Sequence, residues 1–284
     1  MKKTQSFSVR IQYILPQHLI SRIAGMFANA RIVPFKNWLI RKFIKTYRVS
    51  LVEAMIEQPE AYDTFNHFFT RQLKPHARPI DQQPHTITSP VDGIIAQIGT
   101  IQQKILLQAK QFYFDLDSLL ANTGSLSKQF ENGAYATLYL APSNYHRVHL
   151  PIDGQLIQTI YVPGQLFSVN QKTSAVIPNI FSRNERLIAI LNTAIGPMAI
   201  ILIGAMIVGN IKTVWTDSPI KGGQIKIENF TNGIKLAKGD ELGYFQLGST
   251  VILLFAKNAM RWDEKMTVNS PIKMGERIAH YHAG

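Results

Sequence analysis

Tyr145-His146-Arg147-Val148-His149 places two imidazoles three residues apart with a guanidinium between them. On a helix that spacing would turn two ligands to one face and suit a metal ion. Pro142, Pro151 and the β-rich surroundings instead predict an extended strand, where an odd spacing sends the two rings to opposite faces. With no third ligand nearby and no cysteine, no metal is expected. Histidine and arginine grouped after a turn suit phosphate binding or acid–base catalysis near neutral pH. Asp92, in Ser89-Pro90-Val91-Asp92-Gly93, reads as a turn aspartate whose chemical interest depends on a partner histidine. The third feature is Gly248-Ser249-Thr250, a step of small residues between Gly243-Tyr244-Phe245 and the apolar run Val251 to Phe255. Glycine at such a step marks a bulge or a close backbone approach, and no Gly-x-Ser-x-Gly elbow accompanies the serine.

The elements that must position these residues are mostly strands. From about residue 86 the chain consists of short apolar or alternating runs bounded by Gly, Pro, Asn and Asp, among them 87–95, 135–140, 148–154, 188–192, 199–203 and 251–255. Leu187 to Ile211 holds 25 residues without a charge, long enough to span a bilayer. Asn192-Thr193 and Gly196-Pro197 punctuate that run, so two buried strands joined by a turn are expected. Pro-apolar-Asp-Gly recurs at 90–93 and 151–154 and reads as hairpin-turn chemistry rather than duplication, and Lys238 to Gly243 reads as a turn entering a strand. Val49 to Glu57 is expected to be helical, and His280 and His282 to lie in a solvated tail. The fold class expected is α+β: a predominantly antiparallel β catalytic domain, residues 49–284, behind N-terminal amphipathic helices, residues 1–48.

The charge separates those two regions. The 284 residues carry 30 Lys+Arg against 18 Asp+Glu, a formal net charge of +12, with no cysteine. Disulfide scaffolds, thiolate metal sites and cysteine nucleophiles are thereby excluded. Ten of the basic residues fall in the first 48 positions, which hold no acid before Glu53, whereas the remaining 236 residues carry 20 basic and 18 acidic side chains. Apolar residues recur in the basic segment at helical spacing, Leu15, Leu19, Ile23 and Phe27, then Phe35, Trp38/Leu39, Phe43 and Tyr47, with Pro16 and Pro34 near the starts. Basic amphipathic helices of this kind suit an anionic membrane surface, on which the chain would lie without crossing it. The competing reading packs both helices on the protein's own core with Lys and Arg facing water. No nucleic-acid partner is expected, since no recognition motif accompanies the charge, and no signal peptide is visible.

Leu247-Gly248-Ser249-Thr250, preceded by Gly243-Tyr244-Phe245, resembles the self-cleavage site of bacterial-type phosphatidylserine decarboxylases, a pyruvoyl-dependent family. Phe68-Phe69-Thr70-Arg71-Gln72-Leu73-Lys74, Arg78-Pro79, Ser89 to Gly93, Tyr145 to His149, Phe167 to Asn170, Asn184-Glu185-Arg186 and Gly204 to Gly209 resemble further landmarks of that family, in its order, from about residue 50 to 255. The resemblance implies autocatalytic serinolysis at Gly248-Ser249, giving a long chain, 1–248, and a short chain, 249–284, that stay together. It makes Ser249 the precursor of the pyruvoyl cofactor, which forms a Schiff base with the substrate amine, His149 the base and Asp92 its orienting carboxylate. His146 becomes a proton donor or phosphate contact. It further implies phosphatidylserine as substrate, phosphatidylethanolamine and CO2 as products, a homodimer, and a peripheral site on the cytoplasmic face of the inner membrane. The rivals are a soluble pyruvoyl amino-acid decarboxylase, a serine hydrolase using Ser249, His149 and Asp92, and a catalytically silent membrane-bound scaffold.

Overall fold

From Leu187 to Ile203 the uncharged run folds as expected, into a hairpin whose strands are buried on both faces. Thr193 pairs with Gly196 across the turn, and Gly196, at φ +94°, adopts a conformation that a side chain disfavours. A computed structural model describes residues 9, 11–109, 112–206, 211–216, 222–246 and 249–282. Leu247, Gly248 and residues 207–209 of the sequence motifs lie outside the described residues.

The strands in chain order are β1 (Thr86–Thr88), β2 (Gly93–Thr100), β3 (Ile105–Ala109), β4 (Phe112–Asp115), β5 (Ala134–Leu140), β6 (Arg147–His149), β7 (Gly154–Val162) and β8 (Arg186–Thr193). They continue with β9 (Gly196–Ile203), β10 (Ile211–Thr213), β11 (Lys226–Leu236), β12 (Glu241–Phe245), β13 (Ser249–Phe255), β14 (Arg261–Trp262), β15 (Pro271–Ile272) and β16 (Arg277–His280). Eight of them form one antiparallel sheet in the order β11-β7-β8-β9-β13-β5-β2-β15. β13 is buried along its whole length and bonded on both sides, to β5 and β9. Its partner residues Ile203, Thr250, Tyr139 and Ile94 lie in one row across four strands, which fixes Ser249 at one end of the sheet. A smaller sheet, β10-β12-β6, carries the histidine segment. The expected α+β class with mainly antiparallel sheets is observed, and among the described residues no helix is long and apolar enough to cross a membrane.

The Asp-Gly steps at 92–93 and 153–154 are strand entries and not hairpin turns: each glycine begins a strand, β2 and β7. A Cβ on Gly93 would fall 2.5 Å from the Tyr139 carbonyl oxygen, so close strand approach excludes any larger residue. The turn at 237–240 does lead into β12, as expected.

Two N-terminal helices, α1 (Gln17–Ala28) and α2 (Val33–Tyr47), match the periodic segments. They present opposite sides to the protein. α2 buries Ile40 and packs with Phe43 and Ile44 on a second small core of Tyr62, Phe65, Phe68 and Phe69, the last three from α3 (Phe65–Phe69). α1 instead buries Gln17, Ser21 and Ala28 and leaves its apolar stripe outside, Met26 being 70% and Phe27 57% exposed. Residues 49–57 are not helical. Met55 N–H donates to the Gln72 carbonyl and Lys74 N–H to that of Glu53, so this segment spends its backbone groups on the 72–74 stretch. His280 lies in β16, paired with Thr86 and Arg261, and so belongs to a strand although its side chain is exposed.

Candidate active site

β5 ends in a tight reversal that delivers the histidine segment. Asn144 makes it: its side-chain oxygen accepts from Ala141 N–H at 2.7 Å while its own N–H donates to the Ala141 carbonyl at 2.9 Å. His146 follows, fully buried, with its ring 4.1 Å from that of Phe69 in α3. Its Nδ1 lies 2.8 Å from the Asn144 carbonyl, so Nδ1 carries the proton and Nε2 the lone pair. That Nε2 has no hydrogen-bond partner among the described residues.

His149 is held differently. Its Nδ1 donates to the Gly239 carbonyl at 2.8 Å, which fixes the same tautomer, and its Nε2 accepts from the Tyr145 hydroxyl at 2.9 Å. His149 and Tyr145 border a cleft of about 380 Å³ shared with Lys74, His76, Arg78 and Glu241. The two histidines thus have separate surroundings, but not by strand alternation: only His149 lies in β6, and His146 belongs to the turn before it. Arg147 between them is fixed by Glu241, at 2.8 and 2.9 Å, and by the Thr70 carbonyl.

Asp92 differs from its expected place. Its carboxylate accepts from Arg78 Nε and Nη2 at 2.8 and 2.5 Å and from Met274 N–H at 2.9 Å, and the His149 ring bonds elsewhere. The physical reason is that a bidentate, nearly buried guanidinium pair outcompetes a neutral imidazole for a carboxylate. Asp92 remains a neighbour, because His149 N–H donates to the carbonyl of Pro90, two residues before it. Arg78 is in turn held by Glu53 at 2.9 Å, and these two carboxylates push its pKa up.

Ser249 opens β13 opposite Leu140. It is fully buried, and its Oγ has no hydrogen-bond partner among the described residues. Four residues upstream, Phe245 N–H donates to the His146 carbonyl at 3.1 Å, which ties the end of β12 to the His146 turn. Tyr145, Arg78 and the Gly239 carbonyl were not assigned roles from sequence. Arg78 and Tyr145 stand inside the quoted motifs, but their partners, Asp92 and Glu53 for Arg78 and His149 for Tyr145, follow from the folded arrangement, as does the bond from His149 to Gly239, 90 residues along the chain.

Both histidines are held neutral by burial. Desolvation, reinforced by the nearby Arg71 charge, pushes the His146 pKa down to about 3, and desolvation also lowers that of His149. Below about pH 6.5 the unfolded chain takes up protons that these buried rings refuse, so stability falls as pH falls. Each ring contributes about 1.4 kcal/mol per pH unit between the unfolded and folded values. Urea midpoints measured at pH 7.5 and 5.5 should therefore decrease with acid; identical midpoints would contradict the buried neutral state.

A family model described as phosphatidylserine decarboxylase matches residues 65–280, and a second, described as PSD, matches residues 7–48. Proteins named phosphatidylserine decarboxylase proenzyme are similar over almost their full length. That of Idiomarina loihiensis is 46% identical over 285 residues, covering 98% of each chain. That of Vibrio cholerae is 46% identical, covering 96% of this chain and 98% of the relative, and that of Bordetella petrii is 44% identical, covering 94% and 95%.

Proposed function

This chain belongs to the phosphatidylserine decarboxylase family, and from that premise we propose how its residues carry out the reaction. It is a proenzyme that decarboxylates phosphatidylserine to phosphatidylethanolamine. The observation that carries the residue-level reading is Ser249: a fully buried serine whose Oγ has no hydrogen-bond partner among the described residues, heading a strand clamped on both sides, at the family's cleavage motif.

Self-cleavage would begin as Ser249 Oγ bonds to the Gly248 carbonyl carbon and the Gly248–Ser249 C–N bond breaks, giving an ester. Loss of the Ser249 α-proton then expels the Gly248 carboxylate, and water replaces the nitrogen, which leaves as ammonia. A hydroxyl with no competing partner among the described residues suits the first step, and a strand locked at Thr250 to Phe255 keeps its new terminus in place. His149 is our choice of base because its Nε2 lone pair is preorganised by Gly239; Tyr145 must release it. Asp92 supports the same site by clamping Arg78 and Met274. The pyruvoyl group made from Ser249 would supply the electron sink for loss of carbon dioxide. His146, buried and neutral, would serve as an acid only after taking up a proton, with Nε2 as the atom that carries it.

After cleavage the short chain, 249–284, would be retained. β13 lies at the centre of the large sheet, β15 adds to β2 and β16 to β1. Burial of Val251 to Phe255 alone is worth on the order of 10 kcal/mol. The direct test of function is to supply purified protein with phosphatidylserine vesicles and to measure CO2 and phosphatidylethanolamine. Absence of both would overturn it.

The N-terminal segment, residues 1–48, would seat the enzyme on anionic lipid at the cytoplasmic face of the inner membrane, where the chain would act as a homodimer. The outward stripe of Leu19, Ile23, Met26 and Phe27 supports the membrane, since a helix packed only on its own protein would bury that stripe. Because α2 buttresses Phe69, which lies on His146, point changes test this better than truncation. Met26→Glu with Phe27→Glu should cut vesicle co-sedimentation at least about tenfold and leave self-cleavage intact. Equal sedimentation of variant and parent would contradict the membrane role.

A further inference from the structure

Arg71 is a cation that the proposed chemistry has not used. It follows α3, is only 5% exposed, and has no carboxylate partner among the described residues. Its Nη2 donates to the Ser143 carbonyl at 3.0 Å and to that of Asn144 at 3.3 Å. The Asn144 carbonyl also receives His146 Nδ1–H, so the guanidinium and the imidazole share one acceptor and lie side by side. Nη1 is buried and makes no hydrogen bond among the described residues. The same holds for His146 Nε2 and Ser249 Oγ, which flank this turn. A buried charged donor left unmade is expensive unless a ligand satisfies it, and burial already opposes the charge on this guanidinium.

We propose that Arg71 is the residue that receives the phosphodiester of the lipid headgroup in the cleaved enzyme, through Nη1. This rests on the decarboxylase reading and adds a binding determinant to it. The substrate carries two anions, and reaction energetics separate them. A guanidinium on the carboxylate would hold the charge that must leave that group as carbon dioxide departs, and so would stabilise the ground state more than the transition state. The phosphodiester keeps its charge from substrate to product, and a fixed cation beside it anchors the headgroup while His146 faces the reacting carbon. A planar fork that spends one nitrogen on the 143–144 carbonyls and offers the other suits that task better than a lysine.

The experiment uses the full-length protein and two variants, Arg71→Met and Arg71→Lys, with short-chain phosphatidylserine for turnover and short-chain phosphatidylethanolamine for calorimetric binding. Self-cleavage, read on a denaturing gel, reports whether each variant folds. The expected result is retained cleavage in both, a KM raised about 10- to 100-fold in Arg71→Met with a smaller change in kcat, and phosphatidylethanolamine binding weakened by a similar factor. Arg71→Lys should recover part of both. Weakened phosphatidylserine turnover with unchanged phosphatidylethanolamine binding would assign Arg71 to the carboxylate and overturn the proposal. So would unchanged KM and binding, or loss of cleavage in both variants, which would make Arg71 a structural support of the 143–144 turn. The binding arm needs no turnover, so an inactive wild-type protein would count against the decarboxylase reading alone.

Discussion

Ser249→Ala is expected to yield a single uncut chain of 32.0 kDa with decarboxylation reduced at least about 10³-fold. The size of the effect follows from the serine being both the attacking group and the precursor of the cofactor, so that no other residue can substitute. The fold should be indifferent to the change. Ser249 Oγ makes no hydrogen bond to the described residues, and its removal strands no donor or acceptor, so the stability change should stay within about 0.5 kcal/mol. Urea unfolding and a denaturing gel on the same preparation separate the two effects. A cut or active Ser249→Ala protein would refute the assignment of the cleavage point.

Asp92→Ala should behave in the opposite way and cost stability as well as chemistry. The carboxylate is paired with Arg78, and both side chains are only 8% exposed. Removing one partner leaves a largely buried guanidinium whose remaining carboxylate, Glu53, is half exposed, and also orphans Met274 N–H. Breaking such a pair costs about 3–5 kcal/mol. Met274 lies in the segment that becomes the short chain and Asp92 in the long one, so the loss should appear as weaker retention of residues 249–284 together with slowed cleavage. Asp92→Asn keeps an acceptor for Met274 and should fall between. If Asp92→Ala unfolds at the parental urea concentration and cleaves normally, Asp92 supports neither the seat nor the reaction.

The parts of this protein that were legible in its sequence are those governed by local pattern. The charge-free run from Leu187 had to be buried on both faces, and its punctuation placed the turn at Thr193–Gly196. Helical periodicity placed α1 and α2, but could not tell that α2 buries its apolar side on α3 while α1 turns its own outward, because that depends on which surface each meets. Val49 to Glu57 has helical spacing, yet its backbone groups pair with residues 72–74, a contact no local rule supplies. At the site, the types and order of Asp92, His146, His149 and Ser249 were readable, whereas their partners were not. Arg78 takes the carboxylate expected on His149, and the Gly239 carbonyl, 90 residues along the chain, sets the tautomer in its place. Arg71 stands in a quoted motif, but the nitrogen left without a partner among the described residues, which gives it interest, exists only after α3 and the 143–144 turn have met.

In the proposed reaction the chain cuts itself before Ser249 and converts that residue. Intact mass of the purified wild-type protein under denaturing conditions tests it most directly. Two species are expected, a long chain ending at Gly248 and a fragment of about 4 kDa covering 249–284, lighter by one ammonia than the same fragment beginning with serine. A single species at the full 32.0 kDa, or a short fragment retaining its serine amine, would contradict it.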